Sequence, residues 1–192
     1  MHSNKGKIRI IGGDWRGRRL EVAARSGLRP TPDRVRETLF NWLGQRLDGR
    51  VCLDLYAGSG ALGFEAASRG AARVVMVEQD RVAFAQLEKF RELVRAQQVE
   101  LLRDDALAYL GRAGERFDVV FLDPPFRQNA AAAVLERLPP RLAAGARVYL
   151  EAAEPLEAPV PWRELKRERA GQVSYQLLEW RSDDQSGLSG NV

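Results

Sequence analysis

The feature that most constrains this chain is a regular alternation, from residue 51 onward, of short apolar runs and longer amphipathic stretches. The apolar runs have the length of buried strands, and the stretches between them have helical periodicity. Strands joined by crossover helices must pair in parallel, because a tight turn can return the chain only antiparallel. The pattern therefore predicts an α/β fold with a doubly wound, mostly parallel sheet and helices on both faces.

The same pattern gives approximate bounds for each element, and the length of 192 residues fits one such domain. The predicted strands are residues 51–55, 73–77, 99–102, 117–122 and 146–151. The predicted helices are residues 61–69, 80–96, 106–112 and 129–138. Residues 164–169 and 173–180 have the pattern of two further strands joined near Gly171, and we expect them to form an antiparallel edge.

The segment before this domain predicts a basic β-hairpin and a capped helix. Residues 8–10 and 18–22 alternate like strands, with Gly12, Gly13 and Gly17 available for the turn. Thr31 is predicted to cap a helix that begins at Pro32 and reaches about Gln45. We therefore divide the chain into a hairpin extension (1–28), a main domain (29–181) and a disordered polar tail (182–192).

Composition excludes several classes of chemistry. Cys52 is the only cysteine and lies in an apolar run, so we expect a small buried hydrophobic residue rather than a disulfide or a zinc ligand. His2 is the only histidine and stands near the terminus, so neither histidine catalysis nor a metal site is expected. No apolar stretch approaches the roughly 20 residues of a membrane span, and the N-terminus lacks a secretory signal, which predicts a cytoplasmic protein without membrane contact.

Positive charge is concentrated at the start of the chain. The net charge is only +4, but residues 1–50 contain 12 Lys and Arg against 5 Asp and Glu. Such a segment attracts polyanions, although a solvated arginine-rich face is the simpler alternative. An aromatic residue among arginines can stack on a base, which favours RNA contact. The residues predicted to bind RNA are Arg9, Trp15, Arg16, Arg18, Arg19, Arg29 and Arg34.

A glycine-rich segment, Asp54 to Gly63, follows the first strand of the main domain and opens its first helix. Ligands bind beyond the carboxyl ends of such strands, and glycine lets the backbone approach a bound nucleoside. The glycine spacing alone also fits a dinucleotide fingerprint. Asp54 favours the cationic cofactor S-adenosylmethionine, because a carboxylate there would face a pyrophosphate unfavourably. The predicted cofactor contacts in this segment are Asp54, Tyr56, Ala57, Gly58 and Gly60.

Acidic residues also follow the next two strands. Glu78 is placed to accept hydrogen bonds from ribose hydroxyls, a role that either cofactor would allow. Asp105 is predicted to accept a hydrogen bond from the adenine amino group, with Asp104 as the alternative. For both aspartates, capping of the helix that begins at Ala106 is an alternative role without any ligand.

The fourth strand ends in the sequence Asp123-Pro124-Pro125-Phe126. An exocyclic base nitrogen is a poor nucleophile, because its lone pair is delocalised into the ring, and it attacks better when acceptors hold its N–H bonds. The Asp123 carboxylate and the Pro124 carbonyl are candidate acceptors, the prolines fix the backbone, and Phe126 offers a face for a flipped-out base. These four residues are the predicted catalytic set, and Asp123 is also predicted to contact the cofactor.

Over nearly all of residues 7–181 the chain resembles the bacterial 16S ribosomal RNA guanine-N2 methyltransferases of the RsmD type. The resemblance rests on residues 9–13 with the following Arg-Gly-Arg-Arg stretch, on residues 29–43, on the glycine loop and on residues 123–126. It implies a Rossmann-like methyltransferase fold that transfers a methyl group from S-adenosylmethionine to N2 of a guanine in 16S rRNA, with S-adenosylhomocysteine as product. It also implies that residues 29–41 help close the cofactor pocket, with Thr31 and Asn41 the first contacts to carry over.

The resemblance further implies a substrate presented on the small ribosomal subunit or an assembly intermediate, and we expect a monomer. Three other functions remain open from the residues alone. They are an adenine-N6 nucleic-acid methyltransferase, a nicotinamide-dependent oxidoreductase and a non-catalytic RNA-binding module. The Asp-Pro-Pro-Phe element indicates amino methylation without naming the base.

Overall fold

The computed structural model describes residues 6–21, 31–112, 114–124, 130–157 and 160–181. The strands are β1 (Lys7–Arg9), β2 (Arg19–Glu21), β3 (Val51–Asp54), β4 (Arg73–Val77), β5 (Val99–Leu102), β6 (Phe117–Leu122), β7 (Leu142–Ala152), β8 (Trp162–Ala170) and β9 (Val173–Trp180). The α-helices are α1 (Asp33–Leu43), α2 (Ala61–Ser68), α3 (Arg81–Val94), α4 (Ala106–Leu110) and α5 (Ala130–Arg137), and a short 3₁₀ helix spans Pro139–Arg141.

In the described ranges, seven strands form one sheet in the order β5, β4, β3, β6, β7, β9, β8. β3 to β7 pair in parallel, and β9 is antiparallel to both β7 and β8, which confirms the predicted doubly wound sheet with its antiparallel edge. The chain passes from β3 outward to β4 and β5 and then returns to β6 on the other side of β3. This reversal opens a crevice between β3 and β6 at the carboxyl ends of the strands, which we call the carboxyl edge and where such sheets bind ligands.

The predicted bounds match the structure for several strands and differ by a few residues for other elements. β4, β5 and β6 begin and end where predicted. β7 begins at Leu142 rather than residue 146, because Leu142 pairs with Phe117 across an irregularity in the ladder. α4 ends at Leu110, two residues earlier than predicted.

Helices cover both faces of the sheet and bury two apolar clusters. Side chains of α1, α2 and α3 pack on one face around Phe40, Phe64 and Phe121. Side chains of α4 and α5 pack on the other face around Leu53, Val120 and Leu150. Cys52 is buried in the first cluster, as predicted, and burial raises the pKa of its thiol to about 12.

The N-terminal hairpin is confirmed, and it shares the core of the main domain. Ile8, Ile10 and Leu20 point inward and are buried with the α1 and α2 side chains. Gly13 adopts a φ of 73° where the turn meets α2, and a Cβ there would lie 1.8 Å from the Ser68 carbonyl oxygen. Only glycine fits this approach, so the hairpin packs directly on the helix backbone.

A buried carboxylate fixes the hairpin to α2. Glu65 is fully buried and accepts hydrogen bonds from the backbone N–H groups of Ile11 and Gly12, at 2.8 and 2.7 Å. It also pairs with Arg69 at 2.8 Å and Arg36 at 3.4 Å, and Arg36 donates to the Arg9 carbonyl oxygen. The hairpin and the first two helices are therefore one rigid unit, although the predicted boundary at residue 28 lies outside the described ranges.

The predicted cap of α1 is wrong. The helix begins at Asp33 with Pro32 as its N-cap residue, and no side chain caps it. The Thr31 hydroxyl instead donates to Glu151 Oε1 at 2.7 Å, because Thr31 lies over the end of β7. The predicted tail, residues 182–192, lies outside the described residues. Among the described helices, none is both long enough and apolar enough to cross a membrane.

Candidate active site

Three neighbouring strands each place an acidic residue at the carboxyl edge. Asp54 ends β3, Asp123 directly follows β6, and Glu151 lies near the end of β7. The parallel register aligns them, since Asp54 pairs with Phe121 and Leu122 pairs with Leu150. Asp123 therefore lies between Asp54 and Glu151, at the mouth of the crevice.

Asp54 braces the turn between β3 and α2. It is 3% exposed, and its Oδ2 accepts a hydrogen bond from the Gly63 N–H at 2.9 Å. A second hydrogen bond comes from the backbone of Tyr56. Gly63 lies in the first turn of α2, so Asp54 satisfies a helix N-terminus that has no capping side chain of its own. The sequence predicted a cofactor contact here and missed this structural role.

Glu78 braces the same loop from the side of β4. Its Oε2 accepts from the Gly58 N–H at 2.8 Å, and its Oε1 accepts from the Asp80 N–H at 2.7 Å. Asp80 in turn caps α3 through the N–H groups of Val82 and Ala83. The two acids predicted to contact the cofactor therefore also fix the shape of the glycine loop.

The loop conformation requires glycine at Gly60. This residue adopts a φ of 80° at the start of α2, a region that side chains rarely occupy. A Cβ there would lie 2.6 Å from Leu87 and 2.7 Å from Phe64. The loop backbone therefore packs directly against side chains of α2 and α3.

The electrostatics of the carboxyl edge suit a cationic ligand. Burial raises the pKa of Asp54 to about 7 and raises the pKa of Asp123 well above its ordinary value. Burial also raises the pKa of Glu151, although Thr31 and Tyr149 oppose that shift by hydrogen bonding. In the described part of the chain none of these carboxylates forms an ion pair with Lys or Arg. A ligand with positive charge would supply the missing countercharge, which is the property that separates S-adenosylmethionine from a dinucleotide.

We predict that Asp54→Asn removes the pH dependence that this residue imparts to the stability of the ligand-free protein. The raised pKa means that the folded chain holds the proton more tightly than the unfolded chain. The contribution of Asp54 to stability is therefore full below pH about 4 and is lost as pH rises towards 7, by on the order of 4 kcal/mol. Asparagine keeps an acceptor for Gly63 without the charge, so the variant should gain stability relative to wild type between pH 5 and pH 8.

Urea denaturation of both proteins without ligand, at the two pH values, measures this difference. Titration with S-adenosylmethionine provides the control, because the cation prefers the ionised carboxylate. Affinity should rise with pH through neutrality in wild type, and it should be lower and flatter in the variant. Parallel stability profiles for the two proteins would contradict the assignment of the raised pKa to Asp54.

Asp105 has the capping role that the sequence left open. It is exposed, it is the N-cap residue of α4, and its Oδ1 accepts from the N–H groups of Leu107 and Ala108 at 3.0 Å each. Asp104 accepts from the Asp105 N–H and pairs with Arg112. The charge of Asp105 contributes to raising the pKa of Tyr56, so these two predicted cofactor residues lie near each other. Contact of Asp105 with adenine remains a prediction.

Of the predicted catalytic residues 123–126, the structure describes Asp123 and Pro124. Asp123 is partly accessible and Pro124 is buried. After burial, the charges of Glu151 and then Asp54 are the causes that raise the pKa of Asp123. A carboxyl group in this state is a better proton acceptor than an ordinary aspartate. Pro125 and Phe126 lie outside the described residues, and their predicted roles stay predictions.

Glu151 is the site residue that sequence reasoning missed. It is 6% exposed, and Oε1 accepts from both Thr31 Oγ1 at 2.7 Å and Tyr149 Oη at 2.9 Å. The signal was available, because Glu151 ends a predicted strand just as Asp54 and Glu78 do. Thr31, predicted to contact the cofactor, is thereby brought to the carboxyl edge.

Asn41 is not brought to this site. It is exposed, accepts a hydrogen bond from Gln45 at 2.9 Å, and lines a groove of about 550 Å³ that also contains Arg16 and Arg69. Asn41 lies near the carboxyl end of α1, roughly 12 Å along the helix from its first residue, Asp33, and Arg69 directly follows the carboxyl end of α2. The prediction that Asn41 helps form the cofactor pocket finds no support in this placement.

The predicted RNA contacts are mostly accessible. The side chains of Arg9, Arg16, Arg18, Arg19 and Arg34 are exposed, and Arg9 lies 3.5 Å from Asp33. Trp15 is half-buried instead: its ring packs edge-on against Phe64, and its backbone N–H donates to Ser68 Oγ at 2.9 Å. This packing occupies part of the surface predicted to stack on a base. Arg29 lies outside the described residues.

Comparison with known proteins agrees with this geometry. The family model described as "Conserved hypothetical protein 95" matches residues 8–179. The ribosomal RNA small subunit methyltransferase D of Escherichia coli K12 is 43% identical over 190 residues, which cover 96% of each chain. The solved structure of a candidate methyltransferase from Escherichia coli is 42% identical, with a TM-score of 0.85 over 93% of this chain and 100% of that one. A candidate S-adenosylmethionine-dependent methyltransferase from Streptococcus mutans, at 14% identity and a TM-score of 0.71, covers 85% of this chain and 54% of that one and shares the fold alone.

The strand order, the braced glycine loop and the acids at the carboxyl edge define an S-adenosylmethionine-dependent methyltransferase. The antiparallel β9 between β7 and β8 completes that fold. Within this class, the chain belongs to the "Conserved hypothetical protein 95" family. Its curated relatives from Escherichia coli and Haemophilus influenzae are named ribosomal RNA small subunit methyltransferase D.

Proposed function

We propose that this enzyme transfers a methyl group from S-adenosylmethionine to the exocyclic N2 of a guanine in 16S rRNA. The observation that carries the proposal is the position of Asp123, a desolvated carboxyl group beside the glycine loop and at the switch point of the sheet. Family membership names the class of RNA, since the curated relatives are small-subunit rRNA methyltransferases.

The cofactor-binding half of the site lies over β3, β4 and β5. Asp54 and the Tyr56 to Gly60 loop are placed to hold the methionine part, Glu78 the ribose, and Tyr56 with Asp105 the adenine. When bound, the cofactor supplies an electrophilic methyl carbon. The protein contributes a rigid loop, a countercharge and exclusion of water, and positioning of this kind provides roughly 7–11 kcal/mol in well-oriented reactions.

The acceptor half of the site lies over β6 and β7. Asp123 and the Pro124 carbonyl hold the two N–H bonds of the amine, which directs the nitrogen lone pair towards the cofactor. As the new N–C bond forms, the nitrogen loses one proton, and the raised pKa of Asp123 suits it to accept that proton. Pro125 and Phe126 are proposed to fix and stack the flipped-out base.

The arginine-rich hairpin is proposed to hold the RNA backbone. Arg9 and Arg19 are register partners in β1 and β2, and both are exposed. Like charges directly opposite each other weaken a strand pair, so a bound phosphate chain would relieve a cost that the free protein bears. Arg16, Arg18 and Arg34 extend the same positive surface.

Further properties of the substrate and the protein follow as proposals. The substrate is an RNA folded on the small subunit or on an assembly intermediate, and the enzyme acts as a cytoplasmic monomer. Methylation of adenine N6 is the alternative activity, because the Asp-Pro-Pro-Phe element does not identify the base. The guanine assignment rests on the family resemblance.

The proposal predicts N2-methylguanosine as the product. The purified protein is incubated with labelled S-adenosylmethionine and either free 16S RNA or small subunits that lack the modification, and the nucleosides are then separated. We expect label in N2-methylguanosine and stronger labelling of the folded subunit than of free RNA. Mapping by primer extension identifies the nucleotide. Label in N6-methyladenosine would overturn the base assignment, and no label in either RNA would overturn the activity.

A further inference from the structure

Glu151 lies on the acceptor side of the catalytic residue. The sheet places Asp123, after β6, between Asp54 on β3 and Glu151 on β7. The residues that suit the cofactor, Asp54, Glu78 and the glycine loop, belong to β3 and β4 on the far side of Asp123. A base whose amine reaches Asp123 therefore meets β7 next, and Glu151 is the buried polar residue at the end of that strand.

Hydrogen bonds from neighbouring residues orient the carboxyl group of Glu151. Thr31 and Tyr149 both donate their hydroxyl hydrogens to Oε1, at 2.7 and 2.9 Å. Burial raises the pKa of Glu151, and these two bonds oppose that rise and fix the rotation of the carboxyl group. In the described part of the chain both of these hydrogen bonds are made to Oε1, which leaves Oε2 to accept a donor from a ligand at the carboxyl edge. A donor from the bound base would satisfy it.

Guanine and adenine differ at the atom next to the amine. Guanine carries a donor, N1–H, beside its N2 amine, whereas adenine carries an acceptor, N1, beside its N6 amine. A carboxylate oxygen beside Asp123 would attract the first and repel the second. A site built for a hydrogen bond rejects an analogue that lacks the partner by more than an apolar pocket can.

We propose that Glu151 is the residue that selects guanine, by accepting the N1–H of the target base through Oε2 while Asp123 holds its N2 amine. This inference rests on the proposed guanine-N2 activity and adds the residue that determines the base. It also gives Tyr149 and Thr31 a role as positioning residues, since they hold the carboxylate that contacts the substrate.

The test compares two bases that share the amine and differ at N1 and at C6, where guanine alone carries an oxygen. The change in their rate ratio on substitution of Glu151 isolates the contribution at N1. Small subunits are prepared with guanine or with 2-aminopurine at the nucleotide mapped above. 2-Aminopurine keeps the amine at C2 but presents an acceptor at N1. Wild type should methylate guanine faster than 2-aminopurine by roughly a hundredfold or more in kcat/KM.

Glu151→Gln replaces a hydrogen-bond acceptor of the site, Oε2, by a hydrogen-bond donor. Because two hydroxyl donors face Oε1, the amide oxygen should take that place and the amide NH₂ should take the place of Oε2. The variant should lose guanine activity and gain 2-aminopurine activity, so that the ratio of the two rates falls by about tenfold or more. The dissociation constant for S-adenosylmethionine should not change, because Glu151 lies on the acceptor side.

Three further variants separate selection from structure. Glu151→Asp keeps the charge at a shorter reach, so it should slow methylation and retain the preference for guanine. Tyr149→Phe removes one donor to Oε1 and should behave in the same way. Glu154→Gln changes an exposed glutamate three residues further along the chain, and it should leave rate and preference unchanged.

The outcomes distinguish this inference from the proposed function. If wild type methylates no guanine, the proposed function fails. If wild type methylates guanine and 2-aminopurine equally well, or if Glu151→Gln lowers both rates without moving their ratio, the function stands and the role of Glu151 is overturned. If Glu151→Gln does not fold, equal wild-type rates for the two bases would still overturn the inference, and Glu151→Asp and Tyr149→Phe then test the contribution of this carboxyl group. Weaker binding of S-adenosylmethionine with an unchanged ratio would assign Glu151 to the cofactor and also overturn the inference.

Discussion

Asp123→Ala should reduce methyl transfer to rRNA by about a thousandfold while the affinity for that RNA falls little. The carboxyl group both holds the amine and takes its proton, so alanine removes two contributions to the transition state at once. The affinity depends mainly on exposed arginines such as Arg9, Arg16 and Arg18, which the substitution does not touch. Single-turnover methylation with labelled cofactor gives the rate, and filter binding of the small subunit gives the affinity.

Asp123→Asn serves as the matched variant, because it keeps one acceptor oxygen for the amine and loses the capacity to accept a proton. Its rate should lie between those of alanine and wild type. Glu154→Ala, at an exposed position of the same chain, is the control for removal of a carboxylate alone. An alanine variant that keeps more than about a tenth of the wild-type rate would remove Asp123 from the mechanism, since loss of one essential polar group costs far more.

Glu65→Ala should destabilise the fold by about 3–5 kcal/mol, because it removes the carboxylate that pairs with the buried Arg69 and leaves the buried Arg36 with Asp33 alone. It also leaves the N–H groups of Ile11 and Gly12 without an acceptor. The melting temperature should fall by on the order of 10 °C for a domain of this size. Thermal and urea denaturation followed by circular dichroism measure both quantities.

Glu65→Gln retains the volume and one acceptor oxygen, so its loss of stability should be smaller. Glu88→Ala, a substitution at an exposed position of α3, should leave the melting temperature and the urea midpoint unchanged. A loss of less than about 1 kcal/mol for Glu65→Ala would match a surface ion pair and contradict the structural role of the cluster.

The alternation of apolar runs was sufficient to predict the central sheet, because a strand buried on both faces needs a continuous apolar stretch. Hence β4, β5 and β6 were predicted with their bounds. Acids at the ends of strands were equally visible, since parallel strands bring their carboxyl ends to one edge. That pattern led to Asp54, Glu78 and Asp123.

Contacts between residues far apart in the sequence could not be predicted from the pattern of residues. Thr31 looked like a helix cap, because proline follows it, yet its hydroxyl partner Glu151 is 120 residues away. Glu65 is fully buried in a helix whose residues are all buried, and a lone charge in such an apolar stretch was the available sign of a buried ion pair. Trp15 looked like a stacking residue because of the arginines around it, and only the packing of Phe64 reveals its place in the core.

The anchoring of the hairpin on α2 has a consequence for which nucleotides can be modified. The arginines proposed to hold the RNA lie on a hairpin that is fixed to α2, a helix of about 12 Å whose other end meets the carboxyl edge with the group proposed to receive the base. The fold therefore fixes the distance between the proposed site for the RNA backbone and the proposed site for the base. Among the many guanines of an rRNA, it accepts one whose backbone and flipped base already stand at that spacing, so the architecture of the RNA itself helps to choose the target.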